Sequence, residues 1–228
     1  GRSKKLAEVV ARIIGTKTFS DLRKPTGIVA TNWESHAPLI FKNYEGMAHS
    51  GKSAFIPGCG VSLVDAVRSS CSAVPLFKPV HITLTTRGDA VVPAYDGGFA
   101  ANNPSLFALV DAKQLGFSLD ETALFSVGVG HYPAASTNNV TRIAIRVARW
   151  FPTVKMLGGV LDVSSNTTGI LQRLILKEVR TIRCDETFNV PDLGTDLLET
   201  NTSLLRKLFG KGTETYQSME PQILPLLK

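Results

Sequence analysis

The sequence predicts an α/β protein: a layered sheet with mostly parallel central strands flanked by helices, followed by a mainly helical C-terminal region. Three observations predict it. Between residues 27 and 129, short apolar runs that read as strands alternate with segments of helical periodicity. Ala123 to Val129 is almost continuously apolar, the pattern of a strand covered on both faces inside a parallel sheet. Val91 to Pro104 begins as a short apolar run, breaks at one carboxylate followed by two glycines, and enters a helix start. That strand, turn and helix order is where open α/β sheets place their chemistry, at the strand carboxyl ends.

Composition bounds what such a fold can do. The chain has 228 residues, 43% of them hydrophobic, enough for the core of one domain. Its net charge of +6 comes from Lys and Arg scattered along the chain, without the interleaved aromatics of a nucleic-acid platform, so no nucleic-acid partner is expected. Cys59, Cys71 and Cys184 are too few and too widely spaced for a metal site or a disulfide framework. Buried thiols in a reducing compartment are expected, with no metal and no cofactor. No run of eighteen apolar residues occurs.

Lys4 to Ile14 carries Leu6, Val9, Val10, Ile13 and Ile14 at helical spacing and stops at Gly15. Gly27 to Thr31 reads as a buried strand, and Leu39 to Phe41 as its hairpin partner across a polar turn holding Trp33, for which contact with lipid is one reading and packing on the rim of the core the favoured one. Gly46 to Ser53 matches the phosphate-binding pattern GxxxxGK[ST]. The following Ala-Phe-Ile-Pro57-Gly58-Cys-Gly60 cannot form the helix that such a loop requires, so a polar surface loop is expected. Ser62 is the N-cap of a helix with Asp65 in its first turn and Val64, Val67 and Cys71 on one face. Val80 to Thr85 and Ala90 to Tyr95 are strands paired across Arg87-Gly88-Asp89. His81, on the first of them, reads as a packed or surface residue.

After Pro104, Leu106, Leu109, Val110 and Ala112 line a helix that ends at Gly116. Thr141 to Phe151 reads as a basic surface helix, Leu157 to Lys177 as two apolar helical halves, and Val179 to Cys184 as a strand. Leu197 to Phe209 is predicted helical and closed by Gly210-Lys-Gly212, with a last helix from Thr213 to about Ile223.

Asp96 is the candidate catalytic residue. It ends the Ala90 to Tyr95 strand, and Gly97 and Gly98 permit unusual backbone angles or the close approach of a chain or ligand. Asn102 or Asn103 can cap the next helix, with Pro104 in its first turn. The competing reading is an ordinary Asx turn, because Asp-Gly is a common turn dipeptide. His36, His49, His81 and His131 show no His-x-Asp-like arrangement, and His131, after the Gly-Val-Gly turn, is the alternative base.

Tyr95-Asp96-Gly97-Gly98 followed by Asn102-Asn103-Pro104 resembles the Asp-Gly-Gly/Ala block of the patatin-like phospholipases. Val64 to Pro75 resembles the helix and Ser-rich segment before that block, Leu124 to Gly130 the strand and turn after it, and Phe19 to Asn32 the lead into another central strand. The four segments stand in the family's order and span residues 19 to 130. The resemblance implies a single catalytic domain over 1–228 with 131–228 as its helical extension, and a lipid acyl hydrolase using a Ser-Asp dyad with Asp96 as base. It implies a membrane phospholipid substrate, no cofactor, and a cytoplasmic protein associated peripherally with membrane. Some bacterial members are effectors of defence systems switched on by nucleotide signals, so a small-ligand activator and self-association are open expectations. The family's GxSxG elbow and Gly-rich oxyanion loop do not occur in these 228 residues. The nucleophile is therefore expected outside this numbering, with this fragment inactive alone; the alternative is a catalytically inactive binding or scaffold module.

Overall fold

The computed structural model describes residues 1–48, 55–130, 152–188, 193, 195 and 199–226. His49, His131, most of the phosphate-loop look-alike and the expected Thr141 to Phe151 helix lie outside the described residues. The chain divides into two compact units, one of residues 1–118 with 153–175 and one of 119–152 with 176–228.

In the first unit, helix α1 (Arg2–Ile14) ends at Gly15, whose φ of 64° only glycine adopts readily. Of its five expected apolar contacts Val10 is buried, whereas Ile13 is 70% exposed. Strands β1 (Gly27–Asn32) and β2 (Ala37–Lys42) form the expected hairpin. Pro57–Gly60 is a short 3-10 turn with Gly58 and Cys59 at positive φ, so the segment after the look-alike loop is not the required α-helix. Helix α2 (Leu63–Ser70) has the expected N-cap, the Ser62 hydroxyl oxygen accepting from the Asp65 amide at 3.0 Å. Its buried face is Leu63, Ala66 and Ser69 rather than the expected Val64, Val67 and Cys71, and Cys71 is exposed while Cys59 and Cys184 are half-buried. Small Ala66 and Ser69 let the helix lie close on the sheet, which outweighs the hydrophobicity of Val64 and Val67.

Strands β3 (Val80–Leu84) and β4 (Ala90–Tyr95) form a second hairpin, joined by 85–89. The sheet order is β2-β1-β4-β3, and every ladder in it is antiparallel. This corrects the expectation of mostly parallel central strands. The connections 33–36 and 85–89 are too short for the crossover that parallel neighbours need, so two hairpins placed edge to edge make an antiparallel sheet. One face carries a continuous core that includes Phe19, Ala30, Leu39, Phe41, Leu63, Ala66, Ile82, Leu84 and Ala94.

Short helix α3 (Gly98–Ala101), which the sequence reading lacked, follows β4 and leads to α4 (Ser105–Gln114). Leu109 of α4 is buried as expected, but its companions are Ser105 and Asp111 rather than Val110. Asp111 pairs with Lys42 of β2 at 2.5 Å, their side chains only 9% and 6% exposed, and Lys42 Nζ also donates to the Met47 carbonyl. Helix α5 (Pro152–Ile175) runs unbroken through the polar Ser164 to Thr168 stretch.

In the second unit, β5 (Ala123–Val127) pairs parallel with β6 (Arg180–Cys184), the one parallel ladder among the described strands. Helix α6 (Thr202–Ile223) starts at Asn201, whose side-chain oxygen accepts from the Ser203 and Leu204 amides, and continues through Gly210 and Gly212. The predicted break is absent because a helix interior tolerates glycine at about 1 kcal/mol each.

Candidate active site

The buried alternation of β4, with Val92 and Ala94 inward, delivers Asp96 to the strand's carboxyl end. Its main chain is tied on two sides. The Asp96 and Gly97 amides donate to the Ser72 and Ser70 carbonyls at 3.3 and 3.2 Å, and the Thr31 hydroxyl donates to the Asp96 carbonyl at 2.8 Å. The turn is thus pinned to the end of α2 and to β1. Neither Gly97 nor Gly98 has a positive φ. They are needed for space: a Cβ on Gly97 would sit 2.2 Å from the Val29 carbonyl oxygen, and one on Gly98 2.8 Å from Asp96 Oδ1. Close approach is therefore the reason for both glycines, and special backbone angles are not.

The Gly98 amide donates to Asp96 Oδ1 at 2.6 Å, so the bland Asx-turn reading describes the local geometry correctly. It accounts for one carboxylate oxygen. Among the described residues, the other has no hydrogen-bond partner and no cation pairs with either. Partial burial raises the Asp96 pKa above the usual carboxylate value, and the Gly98 hydrogen bond opposes that rise. The Cys71 thiol is also held up, first by partial burial and then by the charge of Asp96, which places the thiol beside the carboxylate although Cys71 as a residue is exposed.

Downstream, the Asn103 side-chain oxygen accepts from the Ser105 amide at 3.2 Å in a turn just before α4, but the cap position itself falls on Pro104, so neither asparagine caps the helix as expected. Asn102 instead donates to the Leu161 carbonyl of α5 at 3.2 Å, and Ser105 donates to Gln172 at 2.7 Å inside the unit. These two bonds hold α5 against the segment that follows Asp96. On the other side of the turn, the Trp33 ring lies 5.4 Å from Tyr95 and 5.3 Å from Phe99, centroid to centroid. His36 is exposed beside Trp33, and His81 is exposed on β3. Among the described residues, no group of three His, Cys, Asp or Glu side chains could hold a metal ion.

The turn of Asp96, Gly97 and Gly98 at a strand end was legible in the sequence, whereas what fixes it was not: Thr31, the carbonyls of Ser70 and Ser72, and α5. Thr31 carried a usable signal, a hydroxyl at the end of an apolar strand. The α5 contacts carried none, because Leu161 acts through its backbone and Gln172 lies 67 residues from its partner.

In the second unit, the Gly128 amide donates to the Cys184 carbonyl at 2.8 Å and the Gly130 amide to Asp185 Oδ1 at 3.1 Å. Asp185 also forms an ion pair with Arg183, whose guanidinium donates to the Ser126 hydroxyl.

A family model described as patatin-like phospholipase matches residues 1–109. The chain is 37% identical to the cUMP-AMP-activated phospholipase of Escherichia coli over 227 residues, which are 99% of this chain and 69% of that protein. It is also 27% identical to the calcium-independent phospholipase A2-gamma of Oryctolagus cuniculus over 108 residues, 47% of this chain and 13% of the rabbit protein. The family match coincides with the part of the chain that builds the Asp96 turn, and the first relative extends the likeness along nearly the whole sequence: the chain belongs to the patatin-like phospholipase family.

Proposed function

We propose that this chain is the base-carrying part of a lipid acyl hydrolase that cleaves fatty-acyl esters of membrane phospholipids. Asp96 accepts the proton of a Ser hydroxyl supplied outside the numbered residues, and that Ser attacks the ester carbonyl. The proton then passes to the departing alcohol, and Asp96 next deprotonates the water that releases the fatty acid from the acyl-enzyme. The observation that carries this reading is the state of the Asp96 carboxylate: held in one orientation by Gly98, half-buried, with no described cation against it and a raised pKa. A base must be ionised yet avid for a proton, and partial desolvation supplies the avidity. Gly97 and Gly98 keep the approach free of side chains.

The E. coli relative is described as activated by cUMP-AMP. We extend that to this chain: a small cyclic nucleotide switches the enzyme on, and the protein works peripherally at the membrane as an oligomer. The test is fatty-acid release from mixed phospholipid vesicles, with and without cUMP-AMP, comparing the full-length parent, its Asp96→Ala variant and the 228-residue chain. Release by the parent, a loss of at least about 10²-fold in the variant and silence of the short chain support the proposal. A variant as active as the parent makes Asp96 a turn residue. A parent silent under every condition moves the weight to a binding or scaffold role.

A further inference from the structure

The aromatic cluster beside the Asp96 turn has no role in the proton transfers above. We propose that Trp33, Tyr95 and Phe99 form the surface through which the first unit enters the membrane–water interface, setting the mouth of the site against its lipid. This rests on the reading of Asp96 as the base of a phospholipid hydrolase.

Trp33 opens the β1–β2 turn, and that turn is built to a fixed shape. Asn32, 4% exposed, accepts from the Glu34 and Ser35 amides at 3.1 and 3.3 Å. Below the indole stand Tyr95 and Phe99, both half-buried, one tilted and one edge-on to it. These rings fill the space into which the indole would otherwise fold, so Trp33 stays 47% exposed instead of lying on the core rim.

Tyr95 and Phe99 bracket Asp96 at one residue before and three after, Thr31 opposes Tyr95 in the sheet, and the Thr31 hydroxyl holds the Asp96 carbonyl. The exposed ring and the candidate base are therefore parts of one tied structure. An indole and a phenol, each with an apolar body and a polar tip, belong at the headgroup level of a bilayer. Lipid, and not an anionic protein or nucleotide, fits this surface because the turn Trp33-Glu34-Ser35-His36 carries a single formal charge, and that charge is negative. Insertion is accordingly driven by the rings, with little dependence on anionic lipid.

The chain contains two tryptophans, so Trp150→Phe leaves Trp33 as the only indole. That protein is mixed with vesicles of diether phosphatidylcholine, which no acyl hydrolase can cleave, alone or with added phosphatidylglycerol. The expected result is a blue shift of Trp33 emission and its quenching by phosphatidylcholine brominated near the headgroup end of the chains, similar in both vesicle types. Trp33→Ser, followed through vesicle co-sedimentation, lowers partitioning about tenfold, the size expected from keeping an indole's apolar area out of the interface. Trp33→Phe restores most of it. Unchanged emission overturns the proposal, whether the protein stays in solution or sediments with vesicles through another face. So does a blue shift without quenching, which means that protein covers the ring. Because the lipid is uncleavable, insertion with an undiminished Asp96→Ala enzyme would sink the proposed mechanism and leave this surface standing, and the reverse result would do the opposite.

Discussion

Two carboxylates in this chain stand beside glycine turns at strand ends, Asp96 after β4 and Asp185 after β6, and their surroundings differ. Each accepts one glycine amide, Gly98 at 2.6 Å and Gly130 at 3.1 Å. Asp185 also faces the Arg183 guanidinium, which neutralises it and ties it to Ser126. No described cation faces Asp96, and burial drives its pKa upward. The buried Asp111 resembles Asp185 in this respect, with Lys42 against it. A carboxylate with its own cation is committed to holding elements together, whereas one that is desolvated without a cation retains its affinity for a proton. The difference distinguishes the two acids more sharply than their glycine contacts do, since each accepts a glycine amide.

The comparison can be broken at either end, and the largest effect should come from the structural acids. Asp111→Ala leaves Lys42 charged inside the unit, and breaking a buried pair in this way costs about 3–5 kcal/mol. Urea unfolding should show that loss, and a loss below about 1 kcal/mol would mean that the pair holds little together. Asp96→Asn keeps the acceptor for the Gly98 amide and removes only the ionisable oxygen that we propose acts as the base. Phospholipid hydrolysis by the full-length enzyme should fall about 10²-fold, equivalent to about 2.7 kcal/mol in the barrier, with the unfolding midpoint no lower than that of the parent. Equal losses of activity and stability would make Asp96 a structural acid like Asp111.

Gly97→Ala tests the packing that brings the turn against β1. Its Cβ would meet the Val29 backbone oxygen at 2.2 Å, and since a backbone atom cannot swing aside, about 1–3 kcal/mol of stability should be lost. A neutral result by thermal unfolding would show that β1 and the turn are not locked. The smallest effect is in pH. The folded-state pKa of Asp96 is raised, so its stability contribution is fully present below the unfolded carboxylate value of about 3.9 and is lost as pH rises through the folded value. Asn never ionises. The Asp96→Asn protein should therefore match the parent in Tm at the acid end and exceed it slightly at neutral pH, and a gap that widens towards acid would reverse the sign of the argument.

Much of the local structure was legible because its information is local. Ser62 with Asp65 announces a cap, Gly15 and Gly116 stop their helices in positive-φ positions, and both hairpins were readable from apolar runs around short polar turns. The parallel expectation failed although the two hairpins had been identified. Runs such as Ala123 to Val129 dominated that reading, and that strand does pair in parallel, but with β6 and not within the four-stranded sheet. Gly210 and Gly212 misled in the other direction, since their propensity cost is small beside that of ending and renucleating a helix.

By itself the sequence determined most of the order of elements, the family, and one carboxylate with two glycines at a strand end, because capping, turn chemistry and strand propensity act over a few residues. Only the tertiary structure decided which acids are neutralised. Lys42 and Asp111 are 69 residues apart, and Thr31 reaches Asp96 across 65, so their meeting is set by sheet register and helix docking, which no local pattern encodes. The same holds for Gly97 and Gly98, whose necessity comes from the backbone and carboxylate oxygens pressed against them. Desolvation, the property that distinguishes Asp96, is a sum over neighbours from β1, α2 and β4, and it exists only once those elements are packed.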